Sequence, residues 1–419
     1  MRRATFIAII FLLLTLPAGG ATYAFIGATN GNAVNGRYYN VDDFDPGGTS
    51  EAVHRIYVTS DTTLTTLYVW ASADPGGAAS WTITVYKDGV ATAQSATIAA
   101  GTTSAIDSDD VSVSADSGID VKITSSGTPA AARIGWSITY TSTVQYFGAY
   151  SSSLTTSARY LNLKGSNSST SNTTRFVCPF ALTLRRLHCD LSVAPGAGAT
   201  RTFTIQKAGV ATALLRTFGE ADSGIKADDA NSVVCAAGDD IRMACSATGT
   251  PAAANITFWL DSTPGTADNF ALTTGSYATS SVLSNTVENY MSVNGELENP
   301  TATIANVDFW SSPITVTALY AILNAAPDNG AGTQSFTVAL FEEDVASVLS
   351  VAIEEAATTG NDTDAGITIE EGHKIAIGFT PSGTPIATDV PRGVALCAQI
   401  AAAGGGGAPG AVSARRHGQ

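Results

Sequence analysis

The stretch "GTPAAARIGWSITY", residues 127–140, returns later in the chain as "GTPAAANITFWLDS", residues 249–262. In the first copy Ile134, Trp136 and Ile138 alternate with Gly135, Ser137 and Thr139. A period of two places the first set on a core and the second, on the opposite face of a β-strand, in water. The Gly-Thr-Pro opening supplies turn chemistry immediately before that strand. Two further landmarks recur in order upstream. A strand-like run into a Pro-containing turn appears as "LTTLYVWASADPGG" from Leu64, "LTLRRLHCDLSVAPGAG" from Leu182 and "ITVTALYAILNAAPDNGAG" from Ile314. It is followed at once by "SWTITVYKDGVAT" from Ser80, "RTFTIQKAGVAT" from Arg201 and "QSFTVALFEEDVAS" from Gln334. The closing phrase has a third, more diverged copy, "GTPIATDVPRGVALCAQI" from Gly383, and Val90, Val210 and Val345 mark the period. An opening phrase also repeats, "GRYYNV" from Gly36 and "ARYLNL" from Ala158, with "ENYMSV" from Glu288 a looser match.

Repeats of this length must each fold around their own core. Alternating runs separated by short turns, with Asp88-Gly89 suited to a type I′ hairpin, predict strands in antiparallel pairs. The expected architecture is all-β: three tandem antiparallel β-sandwich domains of jelly-roll or immunoglobulin-like topology, at residues 22–143, 144–264 and 265–400. The segment 265–312 shows its first strands poorly and reads as a place for an insertion. Residues 1–21 read as a secretory signal: Arg2 and Arg3 precede the apolar run Ala4 to Leu16, then Pro17 and the small residues Gly19, Gly20 and Ala21. That run is too short to span a bilayer, and no other apolar run approaches 18 residues. The mature chain is therefore expected outside the cell, at its surface and without a membrane span. Residues 401–419 have the composition of a flexible Gly-rich tail.

Charge and cysteine are unevenly placed. The net charge of −15 argues against nucleic acid as a partner. Residues 22–143 carry 5 basic and 12 acidic side chains, residues 144–264 carry 10 and 8, and residues 265–403 carry 2 and 16. The basic middle and acidic third suggest head-to-tail contact between copies of the chain. Four of the five cysteines, Cys178, Cys189, Cys235 and Cys245, fall in the middle repeat. In an exported chain they predict two disulfides of undetermined connectivity. Cys397 is left as a buried thiol or as a handle for an intermolecular bond.

The run "APGAGATRTFTIQKAGVAT", followed by "AAGDDIRMACSATGTPAAANITF", resembles a β-sandwich unit found in uncharacterised phage virion proteins and bacterial surface proteins. That unit is loosely similar to the jelly-rolls of complement-C1q and tumour-necrosis-factor type. The resemblance covers nearly all of residues 144–264, much of 22–143 and less of 265–400. It implies a fold and an extracellular structural or receptor-binding setting, and it implies no catalytic residues.

Residues that carry chemistry are sparse. Of four histidines, His417 lies in the tail, and His54, His188 and His373 sit near no nucleophile signature. There is no GxSxG, HExxH, P-loop or CxxC pattern. Carboxylates cluster in loops, and Asp-x-Asp-x-Gly occurs at Asp43, Asp45 and Gly47 and again at Asp362, Asp364 and Gly366. Calcium could bind such carboxylates, but the two matches lie at non-equivalent places and complete no EF-hand loop, so local turn formation is the preferred explanation. Adjacent acids such as Glu342-Glu343 and Glu370-Glu371 point to opposite faces of a strand, a poor arrangement for bracketing one bond. Among the aromatics, Tyr38, Tyr39, Tyr68, Trp70, Tyr146, Tyr150, Trp259, Tyr277, Trp310 and Tyr320 could stack on sugar rings. Trp70, Trp81, Trp136 and Phe203 are expected in cores, which leaves the exposed tyrosines of the opening phrases, such as Tyr38 and Tyr39, as the stacking candidates. Glycosylation sequons stand at Asn167, Asn172, Asn255 and Asn361. The sequence thus predicts a secreted, non-enzymatic structural or adhesive protein without a cofactor. Its partners would be other copies of itself or a surface glycan or protein. A glycan-binding module array and a phage-type receptor-binding protein are the alternatives.

Overall fold

The computed structural model describes residues 21–400 apart from 30, 43, 46, 52–53, 155, 166–167, 170–175, 267, 277–282, 294, 298–300, 303–308, 311–312, 324, 329–332, 365 and 386–390. The tail and all but the last residue of the expected signal segment lie outside that range. Every regular element among the described residues is a strand. The strands form six sheets, two to a repeat. In the first repeat one sheet runs, in spatial order, Phe44–Asp45, Ala21–Thr29, Ile134–Ser142, Thr62–Ala71 and Ser104–Asp107. The other runs Arg37–Tyr39, Gly118–Ser126, Ser80–Lys87 and Val90–Ala99, with Ile56–Tyr57 also paired to Gly118–Ser126. The second and third repeats reproduce both orders. In residues 265–312 the strands Phe270–Ser276, Asn289–Met291, Gly295–Leu297 and Phe309–Trp310 are counterparts of the early strands of the first repeat.

The period-two reading holds for Ser80–Lys87, whereas Ile134–Ser142 is buried on both faces, with Ser137 and Thr139 covered as well as Trp136. Trp81, Ile83 and Val85 join Leu67, Val69, Trp136 and Ile138 in one core between the two sheets. The recurring phrases have recurring causes. Gly127, Gly249 and Gly383, which open the closing phrase, all have positive φ, at 67°, 65° and 71°. A Cβ on Gly249 would stand 2.5 Å from the Gly198 carbonyl, so the turn takes only glycine. The "GVAT", "GVAT" and "DVAS" phrases follow hairpins whose two central residues are left-handed in every repeat: Asp88-Gly89, Ala208-Gly209 and Glu343-Asp344. A bulge lies just beyond, at the register shifts Thr84/Tyr86, Thr204/Gln206 and Ala339/Phe341. The hydroxyl in the phrase pins it. Thr92 donates to the Val85 carbonyl at 2.8 Å and Thr212 to that of Ile205 at 2.7 Å. Thr92, Thr212 and Ser347 accept from the amides of Gln94, Leu214 and Leu349.

The three repeats close a ring. The turn at Ser114–Ser117 of the first rests on the second, where Asp116 meets His188 at 3.2 Å. The matching turn of the second places Gly238 against Tyr320 of the third, and that of the third places Gly372 against Trp70 of the first. The short strands follow the same rotation. Ile56–Tyr57 packs on Gln145–Leu154, Phe176–Val177 on Pro391–Ile400, and Phe309–Trp310 on Ile134–Ser142. Trp70 is thus buried by the neighbouring repeat rather than in its own sandwich core, which corrects the sequence expectation.

The expected disulfides are absent: all five cysteines are buried free thiols. Register explains their burial. Cys178, Cys189, Cys235 and Cys245 occupy the places of Val58, Val69, Val113 and Ile123 in the first repeat, and all eight side chains are core. Burial pushes the Cys189 thiol up strongly and that of Cys245 to about 11. Cys397 is also enclosed, at 3% exposure, packed with the core of the second repeat. An outward handle for a second chain is therefore not what this residue provides. The contact between the basic middle and acidic third repeats is made within one chain.

Candidate functional site

The junctions between repeats hold several buried polar groups, among them Lys164, His188 and Asp261. The long strand Thr62–Ala71 turns Leu67 and Val69 into the sandwich and leaves Tyr68 and Trp70 on the other face. Strand register makes Tyr68, His188 and Tyr320 equivalent, because they lie opposite Ile106, Ala227 and Asn361. Each is the residue that faces the turn of the preceding repeat.

At the first junction Tyr57 stacks on Trp259, with ring centroids 4.5 Å apart, and Trp259 lies 5.4 Å from the His188 ring. His188 Nε2 is 3.0 Å from Asp229 and its Nδ1 is 3.2 Å from Asp116, so the ring sits between carboxylates of two repeats. Asp261 beside it is fully buried. It accepts from Arg185 at 3.0 Å and meets Arg186 at 2.5 Å, and the Thr59 hydroxyl of the first repeat donates to it. Two hydrogen bonds, from Arg185 and Thr59, together with the Arg186 charge satisfy a carboxylate that water cannot reach.

Near the middle of the ring Lys164 touches all three repeats. Its ammonium lies 2.7 Å from Asp42 of the first and donates at 3.0 Å to the Ala271 carbonyl of the third. Both side chains of the pair are 1% exposed. Gln145 of the second repeat grips the same Ala271, donating to its carbonyl at 3.0 Å and accepting from its amide at 2.9 Å.

Two cavities stand out. A polar cleft of about 330 Å³ in the first repeat is lined by Asp61, Thr62, Thr63, Ser112, Ser114 and Thr141. It brings the hydroxyls of Thr62, Thr63, Ser112, Ser114 and Thr141 to one carboxylate, Asp61. A smaller cavity of about 180 Å³ lies at the second junction, between Val177 and Gly238 on one side and Tyr320, Ile322, Thr359 and Asn361 on the other.

The aspartates named for calcium are placed differently from one another. Asp43 and the side chain of Asp45 lie outside the described residues. Asp362 accepts from the amides of Ser350 and Asp364, both at 3.0 Å, and Asp364 is exposed. Asp107 and Asp228 do the same at matching positions, Asp228 accepting from Leu215 and Ala230. This repeated clamp between two strands escaped the sequence reading; it could have been found by aligning "DSDD", "DDAN" and "DTDA". Among the described residues, no three His, Cys, Asp or Glu side chains converge on a position that could hold a metal ion. His188, dismissed from sequence, is a junction residue, as is Tyr320, one of the aromatics able to stack on sugar rings. Gly238 and Lys164 were missed because their roles come from a neighbouring repeat.

No protein-family model matches the chain, and no curated protein is found to be similar to it. The fold and its junctions define the class: an all-β protein of paired antiparallel sheets.

Proposed function

We propose that this is a secreted, non-enzymatic adhesive scaffold, a single chain that presents three sets of equivalent loops around a closed ring. The observation that carries the reading is the cyclic contact, first repeat on second, second on third and third on first. Repeats related in this way hold matching hairpins at a common level, and Val90, Val210 and Val345 at their tips are exposed to 68%, 69% and 67%. Presenting three weak contacts at fixed spacing raises overall affinity without any new contact type. The spatial strand order supports the jelly-roll topology and its likeness to the C1q and tumour-necrosis-factor type. No helix among the described residues is long and apolar enough to cross a membrane.

A head-to-tail contact that closes gives a ring rather than a filament. The faces that would join chain to chain are occupied within this one. Light scattering on the purified protein should therefore give the mass of one chain at both low and high salt. Assemblies of many chains that dissolve on adding salt would overturn the scaffold reading in favour of a filament-forming building block.

A further inference from the structure

The three junctions are built from equivalent positions, yet they are not equally filled. At the first, Asp116, Tyr57 and Trp259 pack around His188. At the third, the Trp70 indole lies over Gly372, where an added Cβ would come within 2.8 Å of its Nε1. At the second, the residues around Tyr320 are smaller than their counterparts. Gly238 stands where the first junction has Asp116, Val177 where it has Tyr57, and Ala395 where it has Trp259, while Ile322 replaces the Trp70 of the third junction. Three of these positions, Val177, Gly238 and Ile322, line the cavity of about 180 Å³.

We propose that this second junction is a binding site for a single neutral sugar ring, such as the terminal residue of a surface glycan. The inference rests on the adhesive reading above and gives it a ligand class. The size fits one ring, being below the roughly 300–1,000 Å³ of pockets that hold drug-sized molecules. The lining contains no charged residue, in the part of the chain where acids outnumber bases 16 to 2. An anion or a cation would find no counter-charge there. What the lining does offer is the Tyr320 ring as an apolar face, the planar Asn361 amide with two donors and an acceptor, the Thr359 hydroxyl, and the side-chain-free backbone of Gly238. Among the described residues, no hydrogen bond is made to the Tyr320 hydroxyl or to the Asn361 side-chain amide. A sugar ring presents an apolar C–H face and a rim of hydroxyls, and this combination matches both.

The test is saturation-transfer NMR on the full chain, made in bacteria so that the Asn361 sequon stays unmodified, with glucose, galactose, mannose, N-acetylglucosamine, fucose and rhamnose as probes. At least one sugar should give a ring-proton signal. Ile322→Trp, which copies Trp70 of the first repeat, should abolish it, and Asn361→Ala, an exposed change, should weaken binding about five- to ten-fold, as expected for losing about one hydrogen bond. Unchanged thermal midpoints would show that both variants fold. If no sugar in the panel gives a signal, or if the signal persists in folded Ile322→Trp, the proposal falls. A signal from phenol or cyclohexanol without one from any sugar would overturn the ligand class. A single-chain mass by light scattering with no sugar bound would leave the scaffold standing and remove only this site.

Discussion

Two carboxylates carry most of the electrostatic risk in the ring. Asp120 is fully enclosed, and both its oxygens lack a hydrogen-bond partner. Burial, and then the charge of Glu51 beside it, pushes its pKa up to about 9, against the lesser pull of Arg55. An acid whose folded pKa is raised contributes stability that is fully present below its unfolded pKa near 4. That stability is lost as pH rises through about 9. At pH 7 the folded state carries a penalty on the order of 4 kcal/mol. Asp120→Asn should therefore raise the unfolding midpoint at pH 8 and flatten its pH dependence between 4 and 9; denaturant titrations across that range are the check. Asp42 is the opposite case, a buried carboxylate with its cation in place. Lys164→Met leaves Asp42 without its cation and should cost about 3–5 kcal/mol, most of which Lys164→Met combined with Asp42→Leu should recover.

The hairpin after the central strand shows the same element built from different residues. The first two repeats place glycine at its second central position, Gly89 and Gly209, with φ of 85° and 80°. The third places Asp344 there with φ of 65°, next to Glu343 at 47°. Left-handed backbone disfavours residues with a Cβ, so Asp344→Gly should stabilise by about 1 kcal/mol, read as a raised midpoint without a change in denaturant slope. Elements of this kind were legible in the sequence because their causes are local. Alternation set the faces of Ser80–Lys87, and glycines marked the turns, but the second buried face of Ile134–Ser142 comes from a neighbouring repeat and left no mark in the pattern. The clamp made by Asp107, Asp228 and Asp362 was harder to see, because its partners are backbone amides that leave no trace in composition. The junctions were not legible at all. Tyr68, His188 and Tyr320 look unrelated until strand register aligns them, and the cavity at the second junction is lined by Val177, Gly238 and Ile322 where the other junctions carry larger side chains.

At the scale of the whole molecule, the three junctions differ in how they are held. Short linkers join the first repeat to the second, between Ser142 and Gln145, and the second to the third, between Pro264 and Phe270. The third junction has no linker and must close by contact alone, bringing Gly372 to Trp70 across about 300 residues of chain. Loop closure of that length is entropically costly, though the cost grows slowly with length. The compensation is a continuous apolar core that unites residues of the first and third repeats, from Phe25 and Tyr140 to Leu272 and Phe379. This junction is consequently the place where the ring opens first. Gly372 has φ of 78°, and Trp70 covers it so closely that a single methyl cannot be added without moving the indole. Gly372→Ala should shift tryptophan emission to the red as Trp70 meets water and enlarge the hydrodynamic radius. The Lys164–Asp42 contact and the first junction, which lie on other interfaces, should be left intact. An unshifted spectrum and an unchanged radius in a folded Gly372→Ala protein would mean that the third repeat does not close on the first in solution.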